Sequence, residues 1–145
     1  MSRILGLDYG ERRLGFALSD PDEFLATPLC VVHCRSQDEA VREVERVCGQ
    51  AGAERLVVGL PILMDGSRGG QARNVLAFVE KLTPKLSIPI ETWDERLSTR
   101  AAENVLIEAG SSRRRRKEVV DKLAAQIMLQ NYLDARAASR RPGLA

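Results

Sequence analysis

The sequence predicts an α/β protein: one five-stranded mixed sheet, three strands linked by hairpins and two added in parallel, with helices packed against it. Two observations lead there. Three short apolar runs, at residues 3–8, 14–20 and 27–33, follow one another with only turn-forming residues between them. After them, helical periodicity alternates with two further apolar runs at 55–60 and 88–95. Consecutive short strands pair as hairpins, whereas strands separated by helices pair in parallel.

The elements follow in order. Residues 3–8 end an apolar run in Asp8, Gly10 keeps the chain slim, and Glu11 to Arg13 make the turn into residues 14–20. Pro21 and Asp22 break that second strand, and residues 27–33 form the third. Ser36 with Glu39 is a capping box that starts a helix over 37–51, with Val41, Val44, Cys48 and Ala51 on one stripe and Gly52 at the stop. "RLVVGL" at 55–60 is continuously apolar, as in a strand covered on both faces. A Gly-rich loop, "PILMDGSRGGQ", leads into a helix over 71–83 that Thr83-Pro84 ends. Pro89 cannot donate to a sheet ladder, so the fifth strand belongs at an edge. Ser98 or Thr99 caps a helix that Gly110 closes. A basic loop, Arg113 to Lys117, then leads into a long last helix reaching about residue 138, and 139–145 form a basic flexible tail.

At 145 residues the chain reads as one domain, with a core large enough to need no disulfide or metal staple. Aromatics are 4%, so that core must be Leu, Val, Ile and Ala. No apolar run approaches the roughly 20 residues of a membrane helix. The N-terminus lacks the shape of a signal peptide, so a cytoplasmic protein with no membrane partner is expected. Cys30, Cys34 and Cys48 show no repeated CxxC spacing and read as idle thiols in a reducing compartment. His33 is the one histidine, which leaves little basis for Ser-His-Asp or Cys-His catalysis. Charge is uneven. Residues 1–110 hold 13 Lys/Arg against 17 Asp/Glu, a net of −4, and residues 111–145 hold 9 against 3, a net of +6. A polyanion meeting the C-terminal quarter is the simplest use of that asymmetry.

Three acidic positions stand out: Asp8 at the end of the first strand, Asp94 and Glu95 at the end of the fifth, and Asp121 early in the last helix. Ligands of open α/β sheets bind outside the carboxyl ends of strands. Crowded carboxylates need a compensating cation, and hard oxygen donors suit Mg²⁺ or Mn²⁺. Such ions activate water and stabilise the leaving oxygen of a phosphodiester, without histidine or cysteine. Each acid also has a plain structural use. Asp8 could accept bonds from its turn, Asp121 could favour a helix dipole, and Asp94 or Glu95 could pair with Arg96. Strand alternation sends Asp94 and Glu95 opposite ways, and the pattern alone does not choose between them.

Around these acids, "LGLDYGERRLGFALSD", "VVGLPILMDGSRGGQA", "WDERLST" and "DKLAAQIMLQNYLD" resemble, in order, the four signature blocks of the YqgF/RuvX family. The resemblance runs from about residue 3 to 134 and implies an RNase H-like nuclease domain over 1–138. It implies a catalytic and metal-binding triad of Asp8, Glu95 and Asp121, choosing Glu95 over Asp94 by analogy. It further implies a nuclease that processes the 5′ end of pre-16S rRNA in ribosome biogenesis, acting on nucleic acid and ribosomal particles. The alternative within the family is a Holliday junction resolvase in DNA recombination, expected to act as a homodimer rather than a monomer. Candidate nucleic-acid contacts are Arg12 and Arg13 after Asp8, Ser67 and Arg68 in the Gly-rich loop, and Arg113, Arg114, Arg115, Arg116 and Lys117. Two rivals remain: an actin/sugar-kinase-type ATPase, which would need a second related domain, and a non-catalytic RNA-binding ribosome-assembly factor.

Overall fold

In the computed structural model, residues 3–61, 69–94 and 113–139 are described, with side chains from 123 to 138 in the last segment. Five strands form one sheet: β1 (Arg3–Tyr9), β2 (Arg13–Ser19), β3 (Ala26–His33), β4 (Ala53–Leu60) and β5 (Ile90–Asp94). Their spatial order is β3-β2-β1-β4-β5, so β1 is central and β5, with Pro89 before it, is an edge. β1–β2 and β2–β3 are antiparallel, and β1–β4 and β4–β5 are parallel. This is the predicted mixed sheet. The β2–β3 register shifts where Ala17 pairs with Pro28, leaving Leu29 as the extra residue of a bulge. A proline without a donor is tolerated on such an outer strand.

The helices divide between the two faces. α1 (Gln37–Ala51) starts at the predicted cap, where Ser36 Oγ accepts from the Glu39 N–H at 3.1 Å. The Glu39 carboxylate returns to the Arg35 N–H at 3.2 Å, one residue before the cap. Gly52 ends the helix at φ 66°, the left-handed conformation glycine adopts without penalty. α2 (Gly70–Leu82) runs into a 3₁₀ turn, Thr83–Lys85, that carries Pro84. Both helices pack on Leu5, Leu7, Tyr9, Leu14, Phe16, Leu56, Val58 and Leu60.

The other face is covered by α3 (Arg113–Ser139), whose Ala125, Met128, Leu129, Tyr132 and Leu133 meet Ile4, Ala17, Ala26 and Val57. Gly6 makes that approach close, since a Cβ there would stand 3.0 Å from Leu129 Cβ and 3.5 Å from the Ala125 carbonyl oxygen. At the opposite end of the helix, Arg136 reaches Glu23 in the β2–β3 turn, beside the start of β1. α3 therefore runs antiparallel to β1. Gln130 and Gln126 tie it to the edge: Gln130 accepts from Ala26 N–H at 2.9 Å and donates to the Phe24 carbonyl at 2.8 Å, and Gln126 donates to the Ala26 carbonyl at 3.1 Å.

One expectation is corrected. Arg113 to Lys117 do not form a loop but begin α3 as described. Arg and Lys are good helix formers, and that propensity outweighs the solvated-loop reading of a charge run. Asp121 consequently sits in the third turn of this helix. The predicted helix before Gly110 and the tail 140–145 lie outside the described residues. None of the described helices is long and apolar enough to cross a membrane.

Candidate active site at the end of the central strand

The alternation of β1 decides which face Asp8 occupies. Leu5, Leu7 and Tyr9 belong to the α1/α2 core, and Ile4 and Gly6 face α3. Asp8 continues the α3 row and is only partly buried, near the strand's carboxyl end. Its antiparallel partner is Gly15, which adds no side chain over it. Beyond it the chain reverses in a tight turn in which the Gly10 N–H donates to the Arg13 carbonyl at 2.8 Å. A Cβ at Gly10 would come within 2.9 Å of that same oxygen, so the turn requires glycine.

The helix places its own acid toward the same end. Ala125 and Leu129 lie on Gly6, and Asp121 is four residues before Ala125. One helical turn advances about 5.4 Å, and the two residues from Gly6 to Asp8 span about 6.6 Å in the same direction. The first residues of α3, Arg113 to Lys117, stand about one to two turns beyond Asp121, past the strand end. Arg12 is exposed in the turn after Asp8, and Arg13 opens β2 half-buried, in register with His33.

Asp94 is not brought to this side. Leu60 pairs with Asp94 and Val58 with Thr92, so Asp94 shares the α1/α2 face, whereas Trp93 pairs with Gly59 and faces α3. Trp93 meets Tyr132 edge-on at 5.5 Å, and Tyr9 stacks on Phe78 at 4.2 Å. Tyr9 is buried, and Trp93 packs partly buried against the α3 core. Glu95, Ser67 and Arg68 lie outside the described residues, as do the side chains of Asp121 and Arg113 to Lys117.

Among the described residues, no three His, Cys, Asp or Glu side chains gather as a metal site, Cys30, His33 and Cys34 included. Burial pushes the Cys48 thiol up to about 11 and raises that of Cys34, so neither is a thiolate at neutral pH. Among the described residues, the donor that β1 offers at its end on the α3 side is the Asp8 carboxylate. Sequence reasoning missed Gly6, although a glycine inside a strand pattern is itself a signal of close backbone approach. It also missed the Gln126 and Gln130 clamp, which no local pattern announces.

Comparison with known proteins adds the lineage. The sequence matches the profile described as "RuvX: Holliday junction resolvase" over residues 2–135. The chain belongs to the RuvX family. A relative from Desulforamulus reducens is 46% identical over 135 residues, covering 93% of this chain and 98% of its own, and bears the provisional name pre-16S rRNA nuclease. One from Symbiobacterium thermophilum, under the same name, is 48% identical over 136 residues and 94% of each chain. Among solved structures, T. thermophilus RuvC in complex with a Holliday junction substrate superposes with a TM-score of 0.61 at 18% identity, covering 96% of this chain and 98% of that one. The fowlpox virus Holliday junction resolvase gives 0.55 at 11% identity, over 92% and 99%. At those identities the likeness establishes the RNase H-like fold of this RuvX member, and the family names describe enzymes that hydrolyse phosphodiester bonds.

Proposed function

We propose that this RuvX member is a divalent-metal-dependent endonuclease that processes the 5′ end of pre-16S rRNA in the cytoplasm, with Asp8, Glu95 and Asp121 as its acidic set. The observation that carries the reading is Asp8: a partly exposed carboxylate at the end of the central strand, on the face that α3 covers from the opposite direction. The register supports Glu95 over Asp94 as its companion. Asp94 lies on the other face, and strand alternation, if carried one residue further, would turn its neighbour toward the side of Asp8.

An all-oxygen set of three carboxylates fits Mg²⁺ or Mn²⁺ rather than zinc or copper. Such an ion, when bound, supplies an activated water and charge stabilisation at the leaving oxygen. The chain's own residues do the rest. Asp8 is carried by β1 opposite Gly15, which has no side chain to lay over it. Arg12 and the basic start of α3 offer positive charge to phosphates on either side of the scissile one, without reading sequence. Ser67 and Arg68, in the Gly-rich loop before α2, would add a donor and a charge.

The curated relatives at 43–48% identity share the rRNA name. The resolvase reading is favoured instead by the family description and the fold of RuvC. The test offers purified protein a pre-16S rRNA leader and a four-way DNA junction in parallel, with Mg²⁺ and Mn²⁺ titrated. Cleavage of the leader, lost on chelation, is expected. Paired symmetric cuts in the junction with the leader intact would overturn the rRNA assignment, and binding without cleavage of either would favour the assembly factor.

A further inference from the structure

On the far side of the strand end from Asp8, a cleft of about 400 Å³ opens between the β1–β2 turn and the first turns of α2. Its walls are Tyr9, Gly10, Glu11, Gln71 and Asn74. That volume lies within the roughly 300–1,000 Å³ of small-ligand pockets. Tyr9 is the immediate neighbour of Asp8, so the cleft is one residue along the chain from the proposed scissile position.

Among the described residues, the lining has no Lys or Arg and includes a carboxylate, which favours a base edge over a phosphate. Gln71 and Asn74 are exposed and three apart on α2, so their amides are neighbours on the helix surface. Each amide presents both a donor and an acceptor, as base edges do, and an ionised Glu11 only accepts. An acceptor-only group pairs with an exocyclic amino group and repels a carbonyl. Tyr9 is committed to its stack on Phe78, and its hydroxyl lies 3.5 Å from Gln37 Nε2, so it forms a rigid wall rather than a stacking platform. Gly10 cannot gain a side chain without striking the Arg13 carbonyl, which keeps the mouth open.

We infer that this cleft is a base-reading subsite, taking an unpaired nucleobase with an exocyclic amino group (cytosine, adenine or guanine, but not uracil) from the nucleotide beside the scissile phosphate. The inference rests on the nuclease reading above. Gln71 and Asn74 hold the base edge and Glu11 selects the amino group.

The test measures binding of fluorescent single-stranded 10-mers, oligo(C), oligo(U) and an abasic strand of equal phosphate count, by anisotropy in Ca²⁺ to suppress cleavage. Wild type should hold oligo(C) over oligo(U) by at least about fivefold, the scale of one base-edge contact, and oligo(C) over the abasic strand. Glu11→Gln should collapse the C-over-U ratio toward one. Gln71→Ala/Asn74→Ala should lose the preference over the abasic strand while binding that strand as wild type does. Both variants alter exposed side chains, and an unchanged thermal midpoint confirms their folding. Equal binding of all three strands by wild type, or full preference retained in both variants, overturns the subsite alone. No binding of any strand overturns the subsite, while the leader and junction cleavage test decides the nuclease reading separately.

Discussion

The two faces of β1 differ in what they are made of and in how they end. Toward α1 and α2 the strand shows Leu5, Leu7 and Tyr9, all buried, and the row closes in the stack of Tyr9 on Phe78. Toward α3 it shows Ile4, Gly6 and Asp8, surrounded by Ala17, Ala26 and Ala125. Large side chains meet the strand along the whole first row, while in the second Gly6 lets α3 approach closely at Ala125 and Leu129, with Met128, Tyr132 and Leu133 filling the space around it. Only the second row ends in an acid. On the proposed reading, one strand divides its labour, with apolar burial on one side and the acid of the chemistry on the other. Burial of apolar area is indifferent to small displacements, but an acid set is not.

The largest test of that division is Asp8→Asn. It keeps the shape and removes the charge, so cleavage should fall by about 10³-fold or more, while affinity for the uncut nucleic acid stays close to wild type. Single-turnover assays with a parallel gel shift would measure both. Near-normal turnover would mean that the α3 face is not the chemical one.

Phe78→Ala attacks the opposite face. Phe78 is fully buried against Tyr9, so the substitution should cost about 3–5 kcal/mol in urea unfolding. Cleavage per folded molecule, assayed in the cold, should fall far less than in Asp8→Asn, because Tyr9 walls the base cleft and not the acid set. A fall as large as that of Asp8→Asn would break the separation of the faces. Gly6→Ala is the finer probe of the α3 side. A methyl 3.0 Å from Leu129 Cβ forces the helix outward, at about 1–3 kcal/mol for overpacking, partly offset by about 0.4–1 kcal/mol from a stiffer unfolded chain. Despite that modest cost, cleavage should drop, because α3 carries Asp121. A stability loss with full activity would show that helix placement tolerates more than the comparison supposes.

Much of this arrangement is legible in the amino-acid sequence alone. Asp8 at the end of an apolar run, the Ser36 cap, the edge strand after Pro89 and the glycine of the first turn each follow from local rules. The phase of β5 does not. Alternation says that Asp94 and Glu95 face apart, and only pairing with Leu60 says which way Asp94 goes. The basic run misleads for a different reason. Charge density suggests solvent, but four arginines and a lysine also propagate a helix well. The β2–β3 turn gives a partial signal, since Asp-Pro announces a turn while its fastening to α3 is long-range.

That turn supplies the smallest test. Asp20 Oδ1 accepts from the Phe24 N–H at 2.7 Å and the Leu25 N–H at 3.0 Å, in a turn where Glu23 is held at φ 62°, a conformation rare for a non-glycine residue. The Leu25 bond first, with slight burial opposing and the Phe24 bond assisting, holds the Asp20 carboxyl below its ordinary 3.8. A depressed value in the folded state means that the unfolded chain takes up the proton more readily. The contribution is therefore complete above pH 3.8 and is lost as pH falls through the lower folded value. Asp20→Asn keeps an acceptor oxygen and loses only the charge. Urea midpoints should favour wild type slightly at about pH 6, with the gap closing on acidification below 3.8. A gap that stays constant across that range would mean the carboxylate fastens the turn no better than an amide. The turn would then hold the α3 side through Gln126, Gln130 and Arg136 alone.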